Sequence, residues 1–384
     1  MPAQAEALDL VRALIGFDTT SRGSNLALID YVQEMLEAAG ARCRRSFDET
    51  RAKANLFASF GPDEQGGYVL SGHTDVVPVD GQDWSSDPFR AEIRGDKLFG
   101  RGACDMKGFI GVALSLVHEI ARAKLKRPLH FALSYDEEVG CAGVRGLLED
   151  LKAADIRPAL AIVGEPTEMK VVGAHKAGAV LHTHCHGREG HSSAPEKGAN
   201  AVMMAGEFVK LLDDVWNDLR ADADPRFDPP HSTVQANMIS GGSAVNILGR
   251  VALVTWEYRA LPDRDASKIV DAVRRRADTA ILPKYRARAV EAAFETKLHA
   301  AYPGLVLDES SPAIALAREV TGANRVEAVA YGTEAGHFQR AGIPAVICGP
   351  GSIEQAHKAD EFVALSERAG CEGFLRKVIA RAAS

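Results

Sequence analysis

Leu129-His-Phe-Ala-Leu-Ser-Tyr-Asp-Glu-Glu138 is a short apolar run that breaks directly into three acids. A run of this length reads as a buried strand, expected over 129–135, with its acids placed just past the strand end. The same pattern occurs twice more. Tyr68-Val-Leu-Ser leads into His73 and Asp75, and Leu160-Ala-Ile-Val leads into Glu165. A fourth apolar strand is expected at 345–348, and an amphipathic helix at 106–123. Strands alternating with helices predict an α/β domain with a mixed, largely parallel sheet flanked by helices. Sheets of this kind bind ligands at the carboxyl ends of their strands, so the three polar clusters should meet at one edge.

Working outward, Leu8, Val11 and Ile15, then Leu28, Val32, Leu36 and Ala39, stand at helical spacing, with Gly40 as a stop. Around 177–291 the texture changes. Two alternating strands, 179–186 and 251–259, are each accompanied by a helix, 199–216 and 266–282, and this predicts an inserted α+β domain. The first domain is then discontinuous, 1–176 and 292–384. A length of 384 residues fits two domains, because single cores stop growing near ~250 residues. In the last stretch Ser311-Pro312 should open a helix that Gly322 closes, and Ser366 should cap the terminal helix. The polar segment 221–230 reads as a surface loop.

Composition narrows the function. No apolar run approaches the ~20 residues of a membrane span, and a net charge of -7 without a basic run opposes nucleic-acid binding. A small-molecule substrate is expected. The six cysteines include no CxxC pair, which argues against a thiolate zinc site and a disulfide scaffold and for reduced thiols. The beginning of the chain has neither the basic nor the apolar segment of a secretory signal, so a cytoplasmic location is expected.

His73, Asp105, Glu138, Glu165 and His357 form an oxygen and nitrogen ligand set without sulfur, suited to zinc and also to cobalt or manganese. One carboxylate able to bridge is what a pair of ions requires. Neighbouring side chains in an extended segment point opposite ways, so Glu138 can be a ligand while Glu137 faces the attacking water as a base. Asp75 is expected to accept the second imidazole N–H of His73. Singly, each residue reads as well as a cap or a solvated loop group. Their conjunction carries the argument.

Gly72-His-Thr-Asp75, Gly100-Arg-Gly-Ala-Cys-Asp-Met-Lys-Gly108, Asp136-Glu-Glu138, Gly164-Glu-Pro-Thr167 and Ala356-His-Lys358, in that order, resemble the dinuclear-zinc family of deacetylases, desuccinylases, aminoacylases and carboxypeptidases. The resemblance implies that Asp105 bridges two Zn2+ ions, that His73 and Glu165 complete one, and that Glu138 and His357 complete the other. It implies Glu137 as general base and acid, and a homodimer formed through the insert, which acts as a lid. Gly190-His-Ser-Ser-Ala-Pro195 would bring His191 from the partner subunit to the oxyanion. Asn246 and Arg259 match lid positions that hold the substrate.

Tyr135-Asp-Glu-Glu-Val-Gly-Cys141, Gly102-Ala-Cys-Asp-Met-Lys-Gly-Phe109 and Tyr331-Gly-Thr-Glu-Ala335 are most similar to the family's acetylornithine branch. The resemblance thus implies a small N-acyl amino-acid substrate, N2-acetyl-ornithine. The alternatives within the family are a desuccinylase, an acetylcitrulline deacetylase or a broader aminoacylase or carboxypeptidase, and the alternative outside catalysis is a non-catalytic binding or regulatory relative. Desuccinylases carry Ser at the position of Glu334, and a carboxylate there would favour an ammonium-bearing arm; the alternative reading of Glu334 is a loop glutamate in solvent. Gly336-His337 departs from the Pro of that branch. His182, His184 and His186 share a strand face without an adjacent acid and read as structural. Cys104 reads as packing, Arg274-Arg275-Arg276 as a solvated face, and His175 has no assigned role.

Overall fold

The computed structural model describes residues 2–62 and 65–384, with side chains from Ala7 onward. The chain divides into two compact units: the chain up to Ala174 with Leu305–Ala328 and Thr333–Ser384, and His175–Gly304 with Val329–Gly332.

The first unit is built on an eight-stranded mixed sheet. Its order is Arg42–Phe47, Ala54–Phe60, Leu129–Ser134, Tyr68–His73, Leu160–Val163, Ala345–Ile347, Val172–His175 and Glu327–Val329. The four strands from Leu129–Ser134 to Ala345–Ile347 run parallel. Each of these four is buried throughout, as expected for a sheet covered on both faces. Register then places the chemistry. His73 lies opposite Ser134, and Ser71 opposite Val163, so the strands end level and residues 73, 135–138 and 165 leave the sheet at one edge. Gly164 permits this exit, since a Cβ there would lie 2.1 Å from the Phe109 ring.

The helix expected over 106–123 is two helices, Lys107–Ser115 and Val117–Arg122. Leu116, with ψ near 0°, turns out of the helical region, and its N–H bonds three residues back to Ala113. The helices Pro2–Ile15 and Leu26–Ala38 occupy the expected places. Pro312–Thr321 opens after Ser311 and ends at Gly322 with φ 76°. Ser366 is not the cap of the terminal helix. That helix, Leu365–Ala383, begins one residue earlier, because the strand Phe362–Ala364 stays paired with Lys97–Phe99 up to its last residue.

The second unit holds a four-stranded antiparallel sheet, ordered Thr233–Gly241, Val251–Ala260, Ala177–His186 and Ala293–Tyr302. Helices Ala201–Leu219 and Ser267–Arg276 pack on one face around Phe208 and Trp256. The fourth strand pairs with Ala177–His186, so this unit runs on to Gly304 rather than ending at 291. A pairing between segments more than a hundred residues apart leaves no local signature.

The segment 221–230 is more than a surface loop. Asp224 and Phe227 are buried, and Lys176 donates from Nζ to the carbonyls of Pro229 and His231, both at 2.7 Å. On the sheet face, His182 stacks on His299 at 4.5 Å and His186 meets Glu295 at 3.3 Å, so an acid is adjacent after all. Among the described residues no third ligand joins them. No helix among the described residues is long and apolar enough to cross a membrane.

Candidate metal centre

The strand end at His73 presents its imidazole to the start of the Lys107–Ser115 helix. His73 Nε2 lies 2.9 Å from Asp105 Oδ1 and 3.8 Å from Glu165 Oε1. The other oxygen of the same aspartate, Oδ2, lies 3.3 Å from His357 Nε2, which is 3.0 Å from Glu138 Oε2. Asp105 therefore divides its two oxygens between two histidines. The structure brings His73, Asp105, Glu138, Glu165 and His357 together from five separate segments. Glu137 stands with His73 and Glu165, their ligand atoms within 4.8 Å of one another.

These separations can be tested against a metal. Ligands bonded at 2.0–2.1 Å to a tetrahedral ion stand about 3.4 Å apart, and the observed 2.9–3.8 Å spacings bracket that edge. Electrostatics agree. Burial, reinforced by Asp105, pushes Glu138 up to about 7 and Glu165 well above the carboxylate range. Burial does the same to Glu137. Asp105 and Glu138 raise His357 to about 10. Burial opposes the ionisation of Asp105 as well, yet hydrogen bonds from His357 and His73 hold it below the usual range. So many buried acids at one point repel one another unless cations neutralise them. The residues fit a metal pair.

Asp75 acts differently from the sequence expectation. His73 Nδ1 meets the backbone carbonyl of Asp75 at 3.0 Å, while the carboxylate is 3.7 Å away. That carboxylate instead accepts the backbone N–H groups of Glu137 and Glu138 at 3.1 and 3.3 Å, and the Ser21 hydroxyl at 2.7 Å. A short chain from strand to turn explains it: the 135–138 segment leaves its strand with unpaired N–H groups, and the nearest acceptor is two residues past His73.

Sequence reasoning missed three neighbours. Ser21 reaches Asp75 from a distant loop; the Cys141 thiol donates to Glu137 Oε1 at 3.3 Å; and Glu361 grips the Asp105 loop. Two of them carried a signal, Cys141 by its place in the segment that holds Glu137 and Glu361 by its place in the segment that holds His357. Cys104 is buried, with Sγ 3.3 Å from the Ser352 carbonyl, and burial raises its pKa far above the thiol range, in keeping with packing.

Glu334 is 1% exposed, not a loop glutamate in solvent. Its Oε2 accepts the Ser71 hydroxyl at 3.3 Å, Oε1 meets no donor among the described residues, and burial pushes its pKa up to about 7. His191, Asn246 and Arg259 belong to the second unit. His191 is exposed, and its Nδ1 accepts both the N–H and the hydroxyl of Ser193, at 3.2 and 2.7 Å. Asn246 is exposed, and its carbonyl accepts the N–H of Ser192 at 3.0 Å. Arg259 donates to the Tyr302 hydroxyl and, at 3.2 Å, to Glu257.

A largely parallel sheet whose strand ends gather carboxylates and imidazoles around a shared aspartate defines a metal-dependent amidohydrolase. The chain belongs to peptidase family M20/M25/M40, whose model matches residues 69–381. Among its relatives, the acetylornithine deacetylase of Myxococcus xanthus is 36% identical, covering 96% of this chain and 95% of its own. The acetylornithine deacetylase of Proteus mirabilis is 34% identical, over 90% and 87%. The fold is similar to that of an M20 family metallo-carboxypeptidase from Sulfolobus solfataricus, with TM-score 0.76, 16% identity, and 98% and 99% of the two chains covered. It is also similar to human carnosine dipeptidase 1, with TM-score 0.74, 15% identity, and 99% and 97% covered.

Proposed function

We propose that this protein hydrolyses N2-acetyl-L-ornithine to L-ornithine and acetate at a centre of two zinc ions. The observation that carries the metal part is the division of Asp105 Oδ1 and Oδ2 between His73 and His357. The similarity to acetylornithine deacetylases over nearly the whole chain supports the substrate. Asp105 would bridge, His73 and Glu165 would hold one ion, and Glu138 and His357 the other. When bound, such ions polarise the amide carbonyl and lower the pKa of water.

Glu137 takes the proton of the attacking water and delivers it to the departing α-amine as the C–N bond breaks, and the second water proton, left on the new carboxyl group, passes to the amine, so that acetate and an ammonium leave. Its backbone is held by Asp75 and its carboxylate by the Cys141 thiol, so the base is aimed before substrate arrives. His191, supplied by the partner of a homodimer, donates to the oxyanion; its Nδ1 is engaged by Ser193, which orients the ring. Arg259 binds the α-carboxylate with a fork oriented by Tyr302 and Glu257, beside Asn246. Glu334 selects the cationic arm, because its open oxygen is a buried acceptor suited to an ammonium donor. The six free cysteines suit the reducing cytoplasm.

An activity screen of the zinc-loaded protein, with a chelator control, decides the substrate. Acetylornithine should be hydrolysed fastest among acetylornithine, acetylcitrulline, succinyl-diaminopimelate and other N-acyl amino acids. A preference for the succinyl substrate, or chelator-resistant activity, would overturn the proposal.

A further inference from the structure

Glu361 is buried and carries no role in the chemistry above, yet its carboxylate is among the most heavily engaged in the first unit. Oε1 accepts the backbone N–H groups of Cys104 and Asp105 at 2.8 and 2.9 Å. Oε2 accepts the N–H of Gly102 at 3.0 Å and Arg101 Nη1 at 2.8 Å. Its own carbonyl accepts the N–H of Gly100 at 3.0 Å. The 100–105 loop, which ends in the shared aspartate, is thereby held at five points by one residue.

The partner guanidinium extends the same network to the other side of the centre. Arg101 Nη2 donates to Gln82 Oε1 at 2.6 Å, and Gln82 Nε2 donates to the backbone carbonyl of His357 at 2.8 Å. Arg101 Nη1 also reaches the Lys358 carbonyl at 3.4 Å. His357 needs such support. Its side chain is 54% exposed, and its φ of 62° lies in the left-handed region, which a non-glycine residue occupies only when its surroundings enforce it.

We propose that Glu361 and Arg101 are positioning residues that couple the Asp105 loop to the His357 loop, so that both metal subsites are set by one buried ion pair. The physical reason is preorganisation. Ligands held by their backbones before an ion arrives lose little freedom on binding it, and the partners that orient metal ligands typically govern metal affinity by about 10–100-fold. The proposal rests on the metal-centre reading above.

The test is a calorimetric zinc titration of the full-length metal-free protein, alongside its melting temperature in the same state. Glu361→Gln replaces one acceptor oxygen by an NH2 group that faces backbone N–H donors. It should weaken both zinc dissociation constants about 10–100-fold, because Asp105 serves both ions. Gln82→Ala removes the direct bond to the His357 carbonyl and leaves the Asp105 loop untouched, so it should weaken one ion and spare the other. A purely structural role would lower the melting temperature and leave the constants unchanged, and that result, or wild-type constants in either variant, overturns the proposal. Should Glu361→Gln fail to fold, Gln82→Ala decides alone. The titration needs no substrate. A wild type that binds two ions but hydrolyses nothing counts against the proposed reaction, whereas an active wild type beside unaltered variants counts against the coupling.

Discussion

Asp75 Oδ1 accepts the backbone N–H of Glu137 at 3.1 Å, so the residue two past His73 sets the position of the proposed base. The same residue's carbonyl orients the His73 ring. Asp75→Asn retains one acceptor oxygen and turns an NH2 toward N–H groups. Turnover of the zinc-loaded variant should fall about 10–100-fold with KM little altered. Steady-state kinetics separates the two parameters, and an effect confined to KM would contradict the aiming role.

Glu137 stands near enough to His73 and Glu165 to be considered a ligand as well as a base. Glu137→Gln distinguishes these roles. As base, its loss should reduce kcat by about 10²–10⁴ with two zinc ions still bound. Metal analysis of the same sample is the check: loss of an ion would make Glu137 a ligand.

Metal binding should release protons. In the metal-free protein His357 is held up at about 10 by Asp105 and Glu138, and Glu138 is raised to about 7 by burial. Both must be deprotonated to bind an ion, so zinc affinity rises with pH through neutrality and falls in acid. Titration calorimetry in buffers of different ionisation enthalpy measures the protons released at pH 7. Zero release would show that the ligands are already deprotonated without metal.

His191 is solvent-exposed in its own chain, its ring fixed by Ser193. If it acts on a partner's substrate, His191→Ala should reduce kcat about 10²–10³-fold without altering zinc content. Mixing it with Glu137→Gln should then restore part of the activity, since a heterodimer contains one intact site. Failure of mixed, subunit-exchanged samples to regain activity would refute sharing.

The strand ends at His73, Glu138 and Glu165 were legible in the sequence because a buried parallel strand is a continuous apolar run, and its end is a visible change of polarity. The second unit's core was legible for a similar reason, in the alternation of Ala177–His186 and Val251–Ala260. Its boundary was not, because Ala293–Tyr302 is recruited by an edge pairing that no neighbouring residue encodes. Nor was the break at Leu116, where a smooth apolar pattern conceals a change of backbone angle.

By itself the sequence determined which residue types could bind metal and that they follow strands, since both depend only on local chemistry and periodicity. Tertiary structure alone decided what each one touches. Asp105 is divided between His73 and His357, Asp75 serves Glu137 with its carboxylate and His73 with its carbonyl, and Glu361 grips the loop before Asp105. Those relationships depend on strand register and loop paths that bring residues as many as 260 positions apart within hydrogen-bond distance, and no local pattern specifies them.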